Sequence, residues 1–267
     1  MKYVIITGAF GGMGYETTKL LAGLGYTVFA LDKFVKESEN ENIIPVEVDV
    51  TDATSVKSAF IKISQITSEI FAIIHFAGIY MLDSLVEISE SDFEKIIKIN
   101  FFGAFYVNKT FLPLLKKGSR IIMTTSELAP LDPLPFTGIY AVSKSALDKY
   151  AYSLKMELQL LGVFVSVIRA GAVSTDMLGV STRALDRFCE KTTTYQCNAD
   201  KFRQIVNGVE SKCVPPEKIA IKTHKILTAK NPKFAYSVNR NKLLLLLNAL
   251  PKKLQFFAIK KILKPKK

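Results

Sequence analysis

The sequence predicts a single α/β domain, a parallel sheet with helices packed on both of its faces. Three observations point there. Short runs of β-branched and apolar residues recur without polar alternation, as in strands covered on both sides. Segments with apolar residues at helical spacing separate them, so strand and helix alternate through most of the chain, which is the signature of βαβ units. A glycine cluster, GAFGGMG, falls between the first such strand and the first helix. With 267 residues, 49% hydrophobic and 22% charged, the chain is long enough to bury one sizeable core.

The elements follow in order. KYVIIT (2–7) is the first buried strand, and YETTKLLAGLG (15–25) is the helix after the glycines. TVFALD (27–32) and IPVEVDV (44–50) are the second and third strands. DATSVKSAFIKISQI (52–66) reads as a helix with Asp52 as its N-cap. FAIIHFAG (71–78) is the fourth strand. SESDFEKIIKINFFGAFYVNKTFLPLL (89–115) reads as one long helix, with Ser89 and Asp92 in a capping-box-like start. SRIIMTTS (119–126) is the fifth strand, YAVSKSALDKYAYSLKMELQLLG (140–162) a helix, and VFVSVIRAG (163–171) the next strand.

Composition narrows the function. The chain carries 36 basic and 24 acidic residues, a balance of +12. Nine of the basic residues and no acid lie in 240–267, leaving 27 basic against 24 acidic residues, or +3, in 1–239. The basicity therefore describes a tail, not a nucleic-acid-binding surface. The first residues lack a signal-peptide pattern and no window is apolar over the length of a membrane span. A cytoplasmic protein is expected, with Cys189, Cys197 and Cys213 as reduced thiols at no metal-binding spacing.

Glycines at a strand-to-helix turn let the backbone approach a pyrophosphate, and the helix that follows aims its N–H groups at the anion. Gly8, Gly12 and Gly14 sit in such a turn, with Met13 between the last two, and are expected to hold a dinucleotide on a Rossmann-type doubly wound sheet. Asp32 ends the second strand, where a carboxylate accepts the ribose hydroxyls of NAD and repels a 2′-phosphate. NAD is thus favoured over NADP, although Lys33 beside Asp32 softens the discrimination. Asp49 and Val50, after the third strand, are expected to flank the adenine.

Tyr140 and Lys144 stand four apart in GIYAVSKSAL, on one face of a helix. An ammonium beside a phenol favours the phenolate and is expected to bring the tyrosine toward neutral pH, where it exchanges a proton well. Hydride transfer to or from an alcohol carbon needs such a proton partner, because the cofactor supplies only the redox chemistry.

At this point the sequence resembles the short-chain dehydrogenase/reductase family, in its non-extended branch, over about residues 1–180. TGAFGGMG matches the family's TGxxxGxG, and YAVSK its YxxxK. The resemblance implies further roles. Lys144 binds the nicotinamide ribose, Asn100 in KINFFG holds a water of the proton relay, and Ala77 and Gly78 in HFAG lie against the cofactor. RAGAVST (169–175) matches PGxVxT, whose threonine, here Thr175, contacts the nicotinamide carboxamide, with Val173 beside it. A homodimer or homotetramer is implied too.

Three departures stand out. His75-Phe76 replaces Asn-Asn. Ala170 replaces the proline, leaving the nicotinamide segment less rigid. The family's serine commonly lies 13 residues before the tyrosine, where this chain has Glu127; Ser126, one residue earlier, is expected to donate to the substrate oxygen, with Thr125 in reserve. Glu127 is expected to face the substrate mouth.

Residues 176–215 break the alternation and form the substrate lid of a catalytic domain spanning 1–239. The lid mixes Met177, Leu178, Leu185, Phe188, Tyr195 and Phe202 with Arg183, Arg187 and Lys191. That mixture suits an apolar alcohol or ketone with a distal acidic group, although the apolar residues equally suit packing within the lid. The tail, 240–267, holds the run Leu243 to Leu247, a break at Pro251, and an imperfect amphipathic helix in which Gln255 interrupts the apolar face. It reads either as a surface for anionic lipid or as a helix packed on the body or on a second copy. The favoured function is an oxidoreductase interconverting a secondary alcohol and a ketone on an apolar, steroid-, retinoid- or lipid-like substrate. A sugar-nucleotide epimerase or dehydratase and a non-catalytic NAD-binding scaffold are the alternatives. No metal is expected.

Overall fold

A computed structural model describes residues 2–264, with the backbone alone described for 176–183 and 209–210. Met177, Leu178 and Arg183 of the lid therefore lie outside the described side chains. Seven parallel strands form one sheet in the order β3-β2-β1-β4-β5-β6-β7. They are β1 (Lys2–Thr7), β2 (Tyr26–Asp32), β3 (Ile43–Glu47), β4 (Ile70–His75), β5 (Leu115–Ser126), β6 (Phe164–Ala170) and β7 (Ala235–Val238). The order reverses between β1 and β4, and a parallel sheet opens a crevice at the carboxyl ends of its strands at such a point.

Period two along the strands sends alternate residues to opposite faces. Ile5, Phe29 and Ile73 pack under α2 (Ala53–Ser64), α4 (Gly103–Phe111) and α5 (Gly138–Leu158). Val4, Ile6, Val28 and Ile74 pack under α1 (Gly12–Gly23) and α8 (Glu217–Thr228). Asp52 caps α2 by accepting from Thr54 N–H, and Ser89 caps α3 (Glu90–Ile97) by accepting from Asp92 N–H at 3.1 Å. His75 is buried, with Nε2 2.8 Å from Asn108 Oδ1, and burial holds its pKa down at about 4.

The long helix expected over 89–115 is present as α3 and α4 (Gly103–Phe111), continuous through a π turn at Lys98–Phe102 that contains the buried Asn100. β7 completes the sheet edge from a segment whose four residues carry too little pattern to read as a strand. It follows the helices α6 (Asp176–Lys191) and α7 (Gln196–Glu210), which close a satellite core of Leu185, Phe188, Phe202 and Phe136. The tail is two helices, α9 (Lys242–Ala249) and α10 (Lys252–Leu263).

Candidate active site

The carboxyl ends of β1 to β4 frame a cleft of about 800 Å³. Its floor is the glycine loop. Gly8 has a φ of 66°, and a Cβ there would stand 2.6 Å from Ala77 N. A Cβ on Gly14 would stand 1.9 Å from the Gly8 carbonyl oxygen. Neither position tolerates a side chain, because the loop packs closely on itself and on the turn after β4. α1 begins at Gly12 with no side-chain cap, presenting its first turn and the positive end of its dipole to the cleft. Asp32 stands at the far side. Its Oδ2 accepts from Phe10 N–H at 3.0 Å, which ties the carboxylate to the loop. Val50, Ala77, Gly78 and Thr175 also line it, and Thr175 packs so closely on Gly12 that a Cβ at Gly12 would meet it at 2.6 Å. A glycine-loop floor, a helix N-terminus and a carboxylate at the rim suit a dinucleotide.

Asp49 also lines this cleft, but its carboxylate is engaged. Oδ2 accepts from Lys33 at 2.8 Å and Oδ1 from Thr51, and these partners hold its pKa down at about 2. Lys33 thus pairs with Asp49 across the cleft wall.

A second cavity of about 200 Å³ opens off the cleft; the two share Met13, Phe76, Gly78, Ile79, Tyr80 and Thr175. Here β5 and α5 bring Ser126, Tyr140 and Lys144 together. Ser126, at the end of β5, accepts from Leu128 N–H at 3.2 Å and lines the cavity beside Tyr140. Thr125, the reserve, spends its hydroxyl on Asp148 Oδ1 at 3.1 Å. Asp148 also holds Arg169 through two bonds of 3.0 and 2.8 Å, an ion pair that fastens α5 to β6. The Tyr140 ring stacks edge-on against Tyr80, with centroids 4.6 Å apart.

The electrostatics correct the sequence argument. Burial raises the Tyr140 phenol to about 12, against a smaller lowering by Ser126. Lys144 points its Nζ at the Thr124 carbonyl, 3.1 Å away, and stands 5.9 Å from the Tyr140 ring centroid. Burial in turn lowers the lysine to about 8. The pair thus shares a site without the ammonium pulling the phenol down. Asn100 has its amide engaged through both its oxygen and its nitrogen. Oδ1 accepts from Ile79 N–H at 2.8 Å, while Nδ2 donates to the Ile79 carbonyl at 2.9 Å and to Ser143 Oγ at 3.0 Å. It clamps the loop after β4 to α5. Ala170 lies within β6, paired with Ser126 and Val238, so the ladder rigidifies the position where a proline was expected. Val173 is buried and lines the cavity.

Glu127 lines the same cavity, and its Oε2 accepts from Asn241 N–H at 2.6 Å, clasping the start of α9 to the active site. Its negative charge adds to the rise of the Tyr140 pKa. An anion stabilises the protonated phenol, so removing it lowers the phenol's pKa. Glu127→Gln keeps an acceptor for Asn241 and loses the charge. The alkaline rise in alcohol oxidation is therefore expected to move to lower pH. A rate–pH profile superposing on that of the parent protein would show that Tyr140 does not feel Glu127.

Sequence reasoning missed the Glu127–Asn241 clasp, the Arg169–Asp148 pair and the place of Leu244 in the cavity wall. No short-range pattern could have found them. It also expected lid cations at the substrate; Arg187 and Lys191 are exposed and neither lines the cavity, while the side chain of Arg183 lies outside the described residues. Phe188, Phe202 and Tyr195 pack around Phe136 instead.

Comparison with known proteins fits this geometry. A family model described as short chain dehydrogenase matches residues 2–186. Estradiol 17-beta-dehydrogenase 2 of Mus musculus is 34% identical over 189 residues, covering 67% of this chain and 50% of that protein. The chain thus spans about half the length of that relative. The 3-ketodihydrosphingosine reductase of Bacteroides thetaiotaomicron is 26% identical over 239 residues, covering 89% of this chain and 87% of its own. Among solved structures, a short chain dehydrogenase family protein from Francisella tularensis superposes with a TM-score of 0.75 at 21% identity, covering 89% of this chain and 97% of that one.

Proposed function

This chain belongs to the short-chain dehydrogenase family, whose members act on CH–OH groups with NAD(P), and from that premise we propose that it interconverts an apolar secondary alcohol and its ketone, with NAD as the preferred cofactor. One observation carries the reading. The cavity that holds Ser126, Tyr140 and Lys144 is walled by Leu134, Val173, Phe202, Ile205, Val206 and Leu244 and opens directly onto the nucleotide cleft. When bound, the nicotinamide carries the hydride. The chain's own part is to place the substrate and move the proton. Ser126 donates a hydrogen bond to the substrate oxygen. Tyr140 gives that oxygen its proton in reduction and takes it in oxidation. Lys144 holds the ribose side of the site, and Asn100 keeps the Gly78–Ile79 loop against α5, where a proton relay leaves the cavity. The relatives named for estradiol and 3-ketodihydrosphingosine support a bulky apolar substrate.

The test is NADH formation with hydroxysteroids and long-chain secondary alcohols, set against small hydroxy acids. Turnover on the first set alone is expected. Turnover confined to small polar alcohols would overturn the apolar assignment.

The outward face of α5 exposes Tyr152 and Met156, four residues apart, with Leu160 just beyond. We assign this stripe to a second copy of the chain. Sedimentation should give at least a dimer, reduced to a monomer by Met156→Glu; a monomeric parent protein would refute it.

A further inference from the structure

α9 and α10 are anchored from inside and bare outside. Gln255, which interrupts the apolar face in sequence, is the most buried residue of α10. Its Nε2 donates to Asp132 Oδ2 at 3.2 Å, and Lys252 pairs with the same carboxylate. Asn248 accepts from Asp132 N–H at 2.9 Å, and Asn198 donates to the Leu263 carbonyl at 2.7 Å. Leu263 packs on the lid core. These contacts fix which way the two helices face.

The outward side carries large apolar groups. On α9, Leu243 and Leu246 are 72% and 65% exposed, three residues apart and so on one face. On α10, Phe256 and Phe257 are 67% and 65% exposed, and Phe257 lies about 200° around the helix from Gln255. Lys253, Lys260, Lys261 and Lys264 flank the phenylalanines, all exposed. No acidic residue occurs from 240 to 267.

We propose that the outer face of α9 and α10 docks on an anionic lipid surface, with the phenylalanines and leucines entering the headgroup region and the lysines meeting its charge. The charge pattern selects this occupant. A symmetric contact with a second copy brings the same patch onto itself and sets lysine against lysine. A lipid surface carrying negative headgroups satisfies both halves of the face at once. The surface is also placed to matter. Leu244 of α9 lines the substrate cavity, and Asn241 at the start of α9 is held by Glu127, next to Ser126 in sequence. A substrate dissolved in the bilayer would enter beside α9. Only this entry route rests on the function proposed above; the docking itself does not.

The experiment is co-sedimentation of the full chain with phosphatidylcholine vesicles, with and without about one-third phosphatidylglycerol. Binding is expected only to the anionic vesicles, weakened at least tenfold by Phe256→Ser with Phe257→Ser and, separately, by Lys260→Glu with Lys261→Glu. Retained NAD binding checks that each variant is folded. Both pairs lie outside the catalytic residues, so turnover of the best alcohol, supplied in solution without vesicles, should stay at the parent level whether or not docking is lost. A chain that stays in the supernatant with anionic vesicles, or phenylalanine variants that bind as well as the parent, would sink the proposal. So would a drop in sedimenting mass on the phenylalanine changes, which would assign the face to a second copy.

Discussion

Tyr140→Phe is expected to cut turnover by about 10²–10⁴-fold or more, while NAD affinity stays within about threefold. The substitution removes one oxygen and nothing else. The ring keeps its edge-on packing against Tyr80, and the helix is untouched, so no cavity opens. What disappears is the Tyr140 hydroxyl, which lines the cavity with Ser126 and Lys144. The sign of the pH dependence follows from the same group. A phenol held near 12 is protonated throughout the neutral range. Ketone reduction, which needs the protonated form, is expected to be flat there, and alcohol oxidation, which needs the phenolate, to climb with pH. Isothermal titration with NAD and initial rates on the best alcohol measure both halves. Turnover of Tyr140→Phe at a tenth of the parent rate or more would remove Tyr140 from the proton path, and the site would then have to work through Ser126 or Lys144.

What could be read from sequence and what could not divides along sequence distance. The glycine loop, Asp32 and the Tyr140–Lys144 spacing are local, and a strand, a turn and a helix in succession leave few ways to arrange them. Ser126 was reachable by the same route, because it ends a strand whose pattern is strong. The Glu127–Asn241 clasp joins residues 114 apart, and the Asp132–Gln255 anchor residues 123 apart. Nothing in either segment announces its partner. Gln255 shows the cost of reading a helix by itself: a polar residue on an apolar stripe looks like a flaw until the carboxylate it meets is known. The Tyr140 pKa failed for a different reason. Helical spacing puts Lys144 on the right face, but the flexible stem of a lysine chooses its own acceptor, and here it chooses the Thr124 carbonyl. Burial then decides the direction for both groups.

Asp32→Ala is expected to lower NAD affinity by about 10- to 100-fold, since a hydrogen bond to a charged group contributes about 1.5–3 kcal/mol, and to leave NADP bound as well as NAD or better. Two effects add. The ribose hydroxyls lose their carboxylate acceptor, and the charge that repels a 2′-phosphate is gone. The Phe10 N–H also loses its bond, so the glycine loop itself loosens. Asp32→Asn separates these effects. Its amide oxygen can still accept from Phe10 N–H and hold the loop, but it carries no charge. If charge sets the preference, the asparagine variant should bind NAD nearly as a loop-competent protein does and yet accept NADP much more readily than the parent. The basic side chains nearby help to decide the outcome. Lys33 is taken by Asp49, which leaves Lys36 as the cation on the cleft wall nearest in sequence to Asp32 to meet an added phosphate. Titration of both nucleotides against the three proteins reads the result directly. An asparagine variant that still discriminates against NADP as strongly as the parent would mean that the wall of the cleft, and not the Asp32 charge, excludes the phosphate.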